Sequence, residues 1–399
     1  MHLLSATIDS AYVREWADLL VRWLHVVAGI AWIGASFYFI LLDNHLDAPR
    51  RAEDAEAGVG GEAWEVHGGG FYHVQKYRVA PRTLPDHLQW FKWEAYTTWL
   101  SGFALLCIVY FSNARAYLID RSVADLTVPE AIGISIGFIV AAWIVYDVLC
   151  RVLGRFPRTL ALALFGFIAL SAYVAGQLFA SRALFIVVGS MIGTMMVGNV
   201  FFVIIPGHRE LIRAKEAGRE PDPAHGIKGK LRSVHNNYLT LPVLLAMLSN
   251  HFPFVYGHDH AWLILCAFVA LGAYVRHFFN LRHAGRTKWS MPVVAALAVL
   301  GLAIWLQPPG EPAAPATTST SLAAGKHLFE TVGCMSCHTL RDAGATGVIG
   351  PSLDAAKPSR SLVVNRVTNG QGAMPPFGNQ LSPRQIGEIA DYVSTVAGT

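Results

Sequence analysis

Charge is scarce in this chain. Asp, Glu, Lys and Arg together make up 15% of 399 residues, against 53% hydrophobic residues. A soluble globular chain carries roughly 25% charged residues, so the shortage excludes a wholly water-exposed fold and requires that much of the chain sit in lipid. The formal net charge of +4 is too small and too dispersed to suggest a nucleic-acid partner. Missing too are any Gly-x-Gly-x-x-Gly dinucleotide fingerprint and any P-loop, which argues against flavin, nicotinamide or ATP chemistry. No internal repeat is evident. The first apolar run lacks a clear basic leader and a small-residue cleavage site, so it does not read as a typical cleaved signal peptide.

What is abundant is long apolar runs. Runs of roughly 18 or more apolar residues read as transmembrane helices, near 23–42, 93–111, 131–149, 159–179, 183–206, 238–255, 261–279 and 291–306. The fold class expected is all-α: a polytopic transmembrane bundle of about eight spans, with a small α-helical domain behind it. Lys and Arg crowd alternate connections, for instance Arg50, Arg51, Lys76, Arg78, Arg82 and Lys92 in the first and Arg209 to Arg232 in the fifth. Cytoplasmic loops hold that excess, so both termini are expected on the periplasmic side of a bacterial inner membrane.

Three parts follow: a transmembrane domain over 1–306, a tether over 307–320 and a soluble domain over 321–399. The tether is dense in Pro, Ala, Thr and Ser and would extend by roughly 3 Å per residue, letting the last domain swing. In the first cytoplasmic loop, about 43–92, alternating runs at 62–67 and 71–79 flank Gly68-Gly69-Gly70, the pattern of a β-hairpin.

The five cysteines divide cleanly. Cys107, Cys150 and Cys266 lie within or at the ends of apolar runs, as small hydrophobes do. Cys334 and Cys337 enclose two residues and are followed at once by His338, the attachment signature of a c-type haem. Such attachment takes place outside the cytoplasm, in agreement with the charge asymmetry. A zinc or redox pair would explain neither the adjacent histidine nor Met374, in Ala373-Met374-Pro375-Pro376-Phe377. His338 and Met374 are therefore the expected axial ligands of the haem c iron, a set that raises the potential and suits an electron acceptor. Gly350-Pro351-Ser352-Leu353 is similar to the cytochrome c segment beside the proximal histidine. Ser382 and Pro383 open a closing helix whose apolar stripe is Ile386, Ile389, Val393 and Val396.

Sixteen histidines are many for this length. His25 lies inside the first span, where an ionisable group is a functional candidate and a neutral imidazole is a good iron ligand. Its depth matches that of His251 near the end of the sixth span, while His87, His235 and His277 gather at the opposite side. Two b-haems, with His25, His251, His87 and His277 among their ligands, would fit that layering; hydrogen bonding between helices is the rival. His258 and His260 read as surface. Glu94 stands as a proton carrier or an interfacial residue, and Asn199, Asn236 and Asn237 as substrate ligands or helix packing. Trp90, Trp93 and Trp99 read as interfacial belt and core. Arg78, Arg82, Arg232 and Arg276 stand as anion holders, although charge asymmetry accounts for most of them.

Several long segments carry a resemblance. They are Trp23-Leu24-His25 through Phe39, His87-Leu88-Gln89-Trp90-Phe91-Lys92-Trp93-Glu94-Ala95-Tyr96, Arg232-Ser233-Val234-His235-Asn236-Asn237-Tyr238-Leu239-Thr240-Leu241-Pro242 and Ser249-Asn250-His251. Together with the trailing cytochrome c, the chain resembles the membrane-bound urate hydroxylases. The resemblance implies oxidation of urate to 5-hydroxyisourate; if the oxidised purine does not react with oxygen directly, water is the expected oxygen source. Electrons would leave through the cytochrome toward a soluble cytochrome c or a terminal oxidase. It transfers no catalytic residues; Glu94, His235, Asn236 and Asn237 are the catalytic candidates among the matching positions. The alternative is a quinol-oxidising membrane cytochrome b fused to a cytochrome c, and a homo-oligomeric assembly stays open.

Overall fold

The computed structural model of the chain describes residues 10–307, 319–347, 350–371, 374–378 and 380–399. Most of the expected tether at 307–320 lies outside the described residues, as does Ala373 of the methionine segment. Away from water, backbone groups must be satisfied within a segment, and the apolar runs accordingly propagate as helices. In chain order these are α1 (Ser10–His45), α2 (Trp93–Leu105), α3 (Val128–Leu153), α4 (Pro157–Gly176), α5 (Ser181–Gly198), α6 (Ile205–Glu216), α7 (Pro223–Leu248), α8 (Ala261–His283) and α9 (Ser290–Trp305). A π turn, Leu106–Phe111, prolongs α2, and another, Asn199–Ile204, joins α5 to α6.

Six of these segments are long and apolar enough to cross a membrane among the described residues: α1, α2 with its π turn, α3, α4, the α5–α6 unit and α8. α9 is apolar but has only 16 residues. α7 is long enough, yet it begins well before the expected 238 because a charged first half belongs to the same helix. Asp222 caps it by accepting from Ala224 N–H at 2.9 Å, Pro223 sits in its first turn, and Lys228, Lys230 and Arg232 follow. Hydropathy hides such a helix; its cap announces it.

The first long loop forms the expected hairpin. Strands β1 (Val59–His67) and β2 (Gly70–Tyr77) pair antiparallel, with Trp64 opposite His73. Gly68 and Gly69 turn the chain at φ +57° and +82°, a conformation that a two-residue hairpin loop demands. The hairpin is fastened to the end of α1: His45 Nε2 meets Glu65 Oε1 at 3.0 Å, and Lys76 pairs with Asp43, which also receives Lys230 of α7 at 3.5 Å.

The C-terminal domain packs α10 (Ser319–Thr331) across α12 (Pro383–Val396), with α11 (Arg360–Asn369) alongside. Gly325 permits that crossing, since a Cβ there would collide with the backbone of Glu388. Phe329, Leu340, Ile386, Ile389, Tyr392 and Val393 form its core, so the apolar stripe of the closing helix is buried as expected. Ser382 caps α12 in a reciprocal box with Gln385.

Candidate functional site

In the C-terminal domain, Gly333 (φ +100°) turns the chain out of α10 into a short helix that begins at Cys334 and is capped by Cys337. His338 Nδ1 donates to Pro351 O at 2.9 Å, which orients the ring and leaves Nε2 with its lone pair. Gly350 leaves no room for a Cβ beside that ring, nor does Gly347 beside Cys337. Met374 packs at the edge of the same core and is held by a two-way backbone bridge with Gln371, at 3.0 and 2.9 Å. A thiol pair, a directed imidazole and a thioether in one small domain, with Cys334 and Met374 packed on the same core, fit a haem c. His338 and Met374 would be its iron ligands, with Cys334 and Cys337 its anchors.

This domain is seated on the membrane bundle. Tyr256, 2% exposed, follows the end of α7 and donates to Gly370 O at 2.8 Å, with Asn369 O at 3.2 Å. Gln371 Nε2 reaches His251 O at 3.4 Å. The contact falls three residues before Met374, so the methionine segment lies at the end of the bundle opposite the hairpin.

α7 presents polar residues on consecutive positions, and a helix turns by roughly 100° per residue. His235, Asn236 and Asn237 therefore point in different directions, and the structure splits them between two networks. On one side, Arg232 Nη2 donates to Asp147 Oδ1 at 2.6 Å, and its Nη1 to Asn199 Oδ1 at 3.2 Å. Asn199 Nδ2 donates to Asn236 Oδ1 and to the Tyr146 hydroxyl, both at 2.8 Å. The hydroxyl then meets His235 Nδ1 at 2.8 Å, and Asn236 Nδ2 donates to Met196 O at 3.0 Å. Gly198 admits the Trp143 ring against the π turn that swings Asn199 inward. π turns recur at functional sites. On the other side of α7, Asn237 joins Arg276 and Asn280 of α8.

The remaining candidates are scattered. His25 Nδ1 contacts Thr98 O at 2.9 Å and Ser101 Oγ at 3.2 Å, with the ring against Gly102. Its Nε2 is thereby left for a ligand. His251 and His87 are exposed, and His277, also exposed, meets the Tyr238 hydroxyl at 2.7 Å. His87 borders a cleft with Asp86, Trp90, Ile212 and Glu216. Glu94 keeps one buried carboxylate oxygen, Oε2, without a partner. Trp99 donates to Thr194 Oγ1 at 3.0 Å and stacks on Phe103, a core role. Among the described residues no group of three His, Cys, Asp or Glu is gathered to hold a metal ion. Sequence reading missed Tyr146, Asp147, Asn280 and His283. The signal for the last two was the spacing of Arg276, Asn280 and His283 along one face of α8.

The fold and these sites define a membrane protein joined to a c-type cytochrome. The family described as urate oxidase N-terminal matches residues 11–307, and that described as cytochrome C oxidase, cbb3-type, subunit III matches residues 320–393. The chain belongs to the urate oxidase N-terminal family, with a cytochrome c domain behind it. Among curated relatives, cytochrome c6 of Alaria esculenta is 37% identical over 79 residues, 18% of this chain and 86% of that protein. Cytochrome c6 of Rippkaea orientalis is 33% identical over 87 residues, 20% of this chain and 74% of that protein. Of solved structures, the c-type cytochrome SorU from Sinorhizobium meliloti is 44% identical, covering 20% of this chain and 95% of its own, with a TM-score of 0.20. The chain is thus a urate-related oxidoreductase with a haem c.

Proposed function

We propose that this protein hydroxylates urate to 5-hydroxyisourate with water as the oxygen source. Urate and water give 5-hydroxyisourate, two protons and two electrons. The haem c, covalently bound through Cys334 and Cys337, supplies one-electron transfer toward a soluble cytochrome c or a terminal oxidase of the respiratory chain. The observation that carries the reading is the union, in one chain, of a urate oxidase N-terminal match over 11–307 with a cytochrome c domain, bearing Cys334, Cys337, His338 and Met374, seated on the same bundle. An oxidase that returned electrons directly to oxygen would have no use for that cytochrome domain. Domain limits of 1–306, 307–320 and 321–399 follow, with the cytochrome periplasmic on a bacterial inner membrane.

Catalysis needs groups that take protons from the ring and from water. The candidates are Glu94, whose Oε2 is buried and unpartnered, His235, tied to Tyr146, Asn236 in the same network as His235, and Asn237 across α7 beside Arg276. A haem b at His25 is proposed as an added carrier, on the strength of the free Nε2; acid–acetone extraction of active protein should release it.

The test is anaerobic. Urate added to purified protein should reduce the haem c, where quinol should not. With an artificial acceptor in labelled water, the new hydroxyl should carry the label. Stoichiometric peroxide, or label drawn from oxygen, overturns the reaction. Cys337→Ala should abolish haem staining of the denatured chain and all haem reduction by urate.

A further inference from the structure

A buried arginine without a carboxylate is costly, because its charge has left water and gained no counter-ion. The contact between α7 and α8 holds such a residue. At Gly272 a Cβ would lie 3.0 Å from Pro242 Cδ, so the two helices nearly touch there. That approach delivers Arg276, one turn further along α8, to Asn237. Arg276 Nε donates to Asn237 Oδ1 at 2.8 Å, and Asn280 Nδ2 donates to the same oxygen at 3.0 Å. The guanidinium lies 3.9 Å from the centre of the Phe37 ring of α1, which fixes its plane.

Arg276 is 4% exposed and Asn237 is fully buried. Even so, Asn237 Nδ2, Arg276 Nη2, Asn280 Oδ1 and His283 Nδ1 are buried atoms with no hydrogen-bond partner. Among the described residues Arg276 forms no ion pair, whereas Arg232, on the other side of α7, meets Asp147 at 2.6 Å. Native interiors do not gather unpaired polar atoms in this way without a use for them.

We propose that this cluster is the binding site for a planar, anionic ring rich in carbonyl groups, namely the urate of the proposed reaction, an assignment that rests on that reading of the substrate. Ring carbonyls would accept from Arg276 Nη2 and Asn237 Nδ2. A ring N–H would donate to Asn280 Oδ1, and the ring's negative charge would offset the guanidinium. His283 Nδ1 can serve either edge, according to its tautomer. The site lies toward the hairpin end of the bundle, roughly 22 Å along α8 from Ala261 at the cytochrome end. Substrate thus enters from the face opposite the cytochrome, and electrons must cross most of the bundle.

Equilibrium dialysis of urate against full-length protein in lipid nanodiscs tests the site. Arg276→Met and Asn280→Ala should each weaken binding by up to about 100-fold, the loss expected for charge-assisted or paired hydrogen bonds. Arg276→Lys, which keeps charge but loses the fork, should fall between. The haem c spectrum and thermal midpoint report folding, and if Arg276→Met fails to fold, Asn280→Ala decides. Folded variants with wild-type affinity overturn the assignment. So does loss of acid-extractable haem from Arg276→Met, which would give the cluster to a porphyrin carboxylate. Wild-type protein that binds no urate would strike the substrate reading instead.

Discussion

The two polar networks flanking α7 are both built on an arginine, two asparagines and a histidine and differ in closure. Around Asn199, arginine, tyrosine, histidine and two asparagines hand hydrogen bonds to one another until the Arg232 charge ends on Asp147. Around Asn237, arginine and two asparagines share one oxygen, and four atoms are left over. Residue identity would not separate a brace from a binding site here; satisfaction of every donor and acceptor does. A closed network of buried polar groups holds helices in one arrangement, and an incomplete one asks for a ligand.

Stability should separate the two most strongly. Asn199→Leu strands Arg232 Nη1 and Asn236 Oδ1, each at about 1–3 kcal/mol, and leaves the Tyr146 hydroxyl with His235 alone. The sum should collapse the folded yield or lower the unfolding midpoint steeply. Arg276→Met removes a buried charge that has no counter-ion, so without urate its midpoint should move little, by about 1 kcal/mol or less in either direction. Equal losses in the two variants would erase the distinction. Added urate should raise the midpoint of the wild type and not that of Arg276→Met.

A middle-sized effect is expected in the cytochrome domain, whose Tyr392 hydroxyl donates to Asp342 Oδ2 at 2.6 Å. That bond, with Lys326, holds the Asp342 carboxyl below the ordinary carboxylate range. Burial and the same aspartate push the Tyr392 phenol above its ordinary value. A depressed carboxylate contributes stability above its unfolded pKa of about 4 and loses it as pH falls further; a raised phenol contributes below about 10 and loses it as pH rises. The domain should therefore be steadiest between those limits, as followed by the haem absorption of the full chain. Tyr392→Phe should flatten both edges, and an unchanged profile would count against this closed pair.

The smallest effect belongs to the hairpin. Gly69→Ala places a Cβ at φ +82°, a cost of about 1 kcal/mol confined to the turn. Limited proteolysis at 68–70 should quicken while the midpoint of the bundle holds; a global loss would show that the hairpin braces the bundle.

What could be read from sequence was what is local. Cys334, Cys337 and His338 declare their chemistry by spacing, Gly68-Gly69 declares a turn, and apolar runs declare most spans. What escaped was what needs three dimensions. A lone Asp147 or Asn280 within a helix is ambiguous until the facing helix is known, and hydropathy gives the π turn at Asn199 no mark. His235, Asn236 and Asn237 are adjacent in sequence, yet helical rotation sends Asn237 to a different network from the other two. The early start of α7 was readable from Asp222-Pro223, a cap that apolar counting passes over.

The Tyr256 contact has a bearing on supply. An enzyme that relies on a diffusing acceptor runs at a rate set by how many carriers the compartment holds. Here each bundle owns one carrier, linked by the same chain and seated by a few hydrogen bonds to Gly370, Asn369 and His251. Two partners on one chain meet at an effective concentration on the order of millimolar, so even a feeble grip keeps the seat filled. Under the proposed route the first electron would then leave at a pace that protein abundance does not govern, and competition among carriers would begin only at the outward face of the cytochrome.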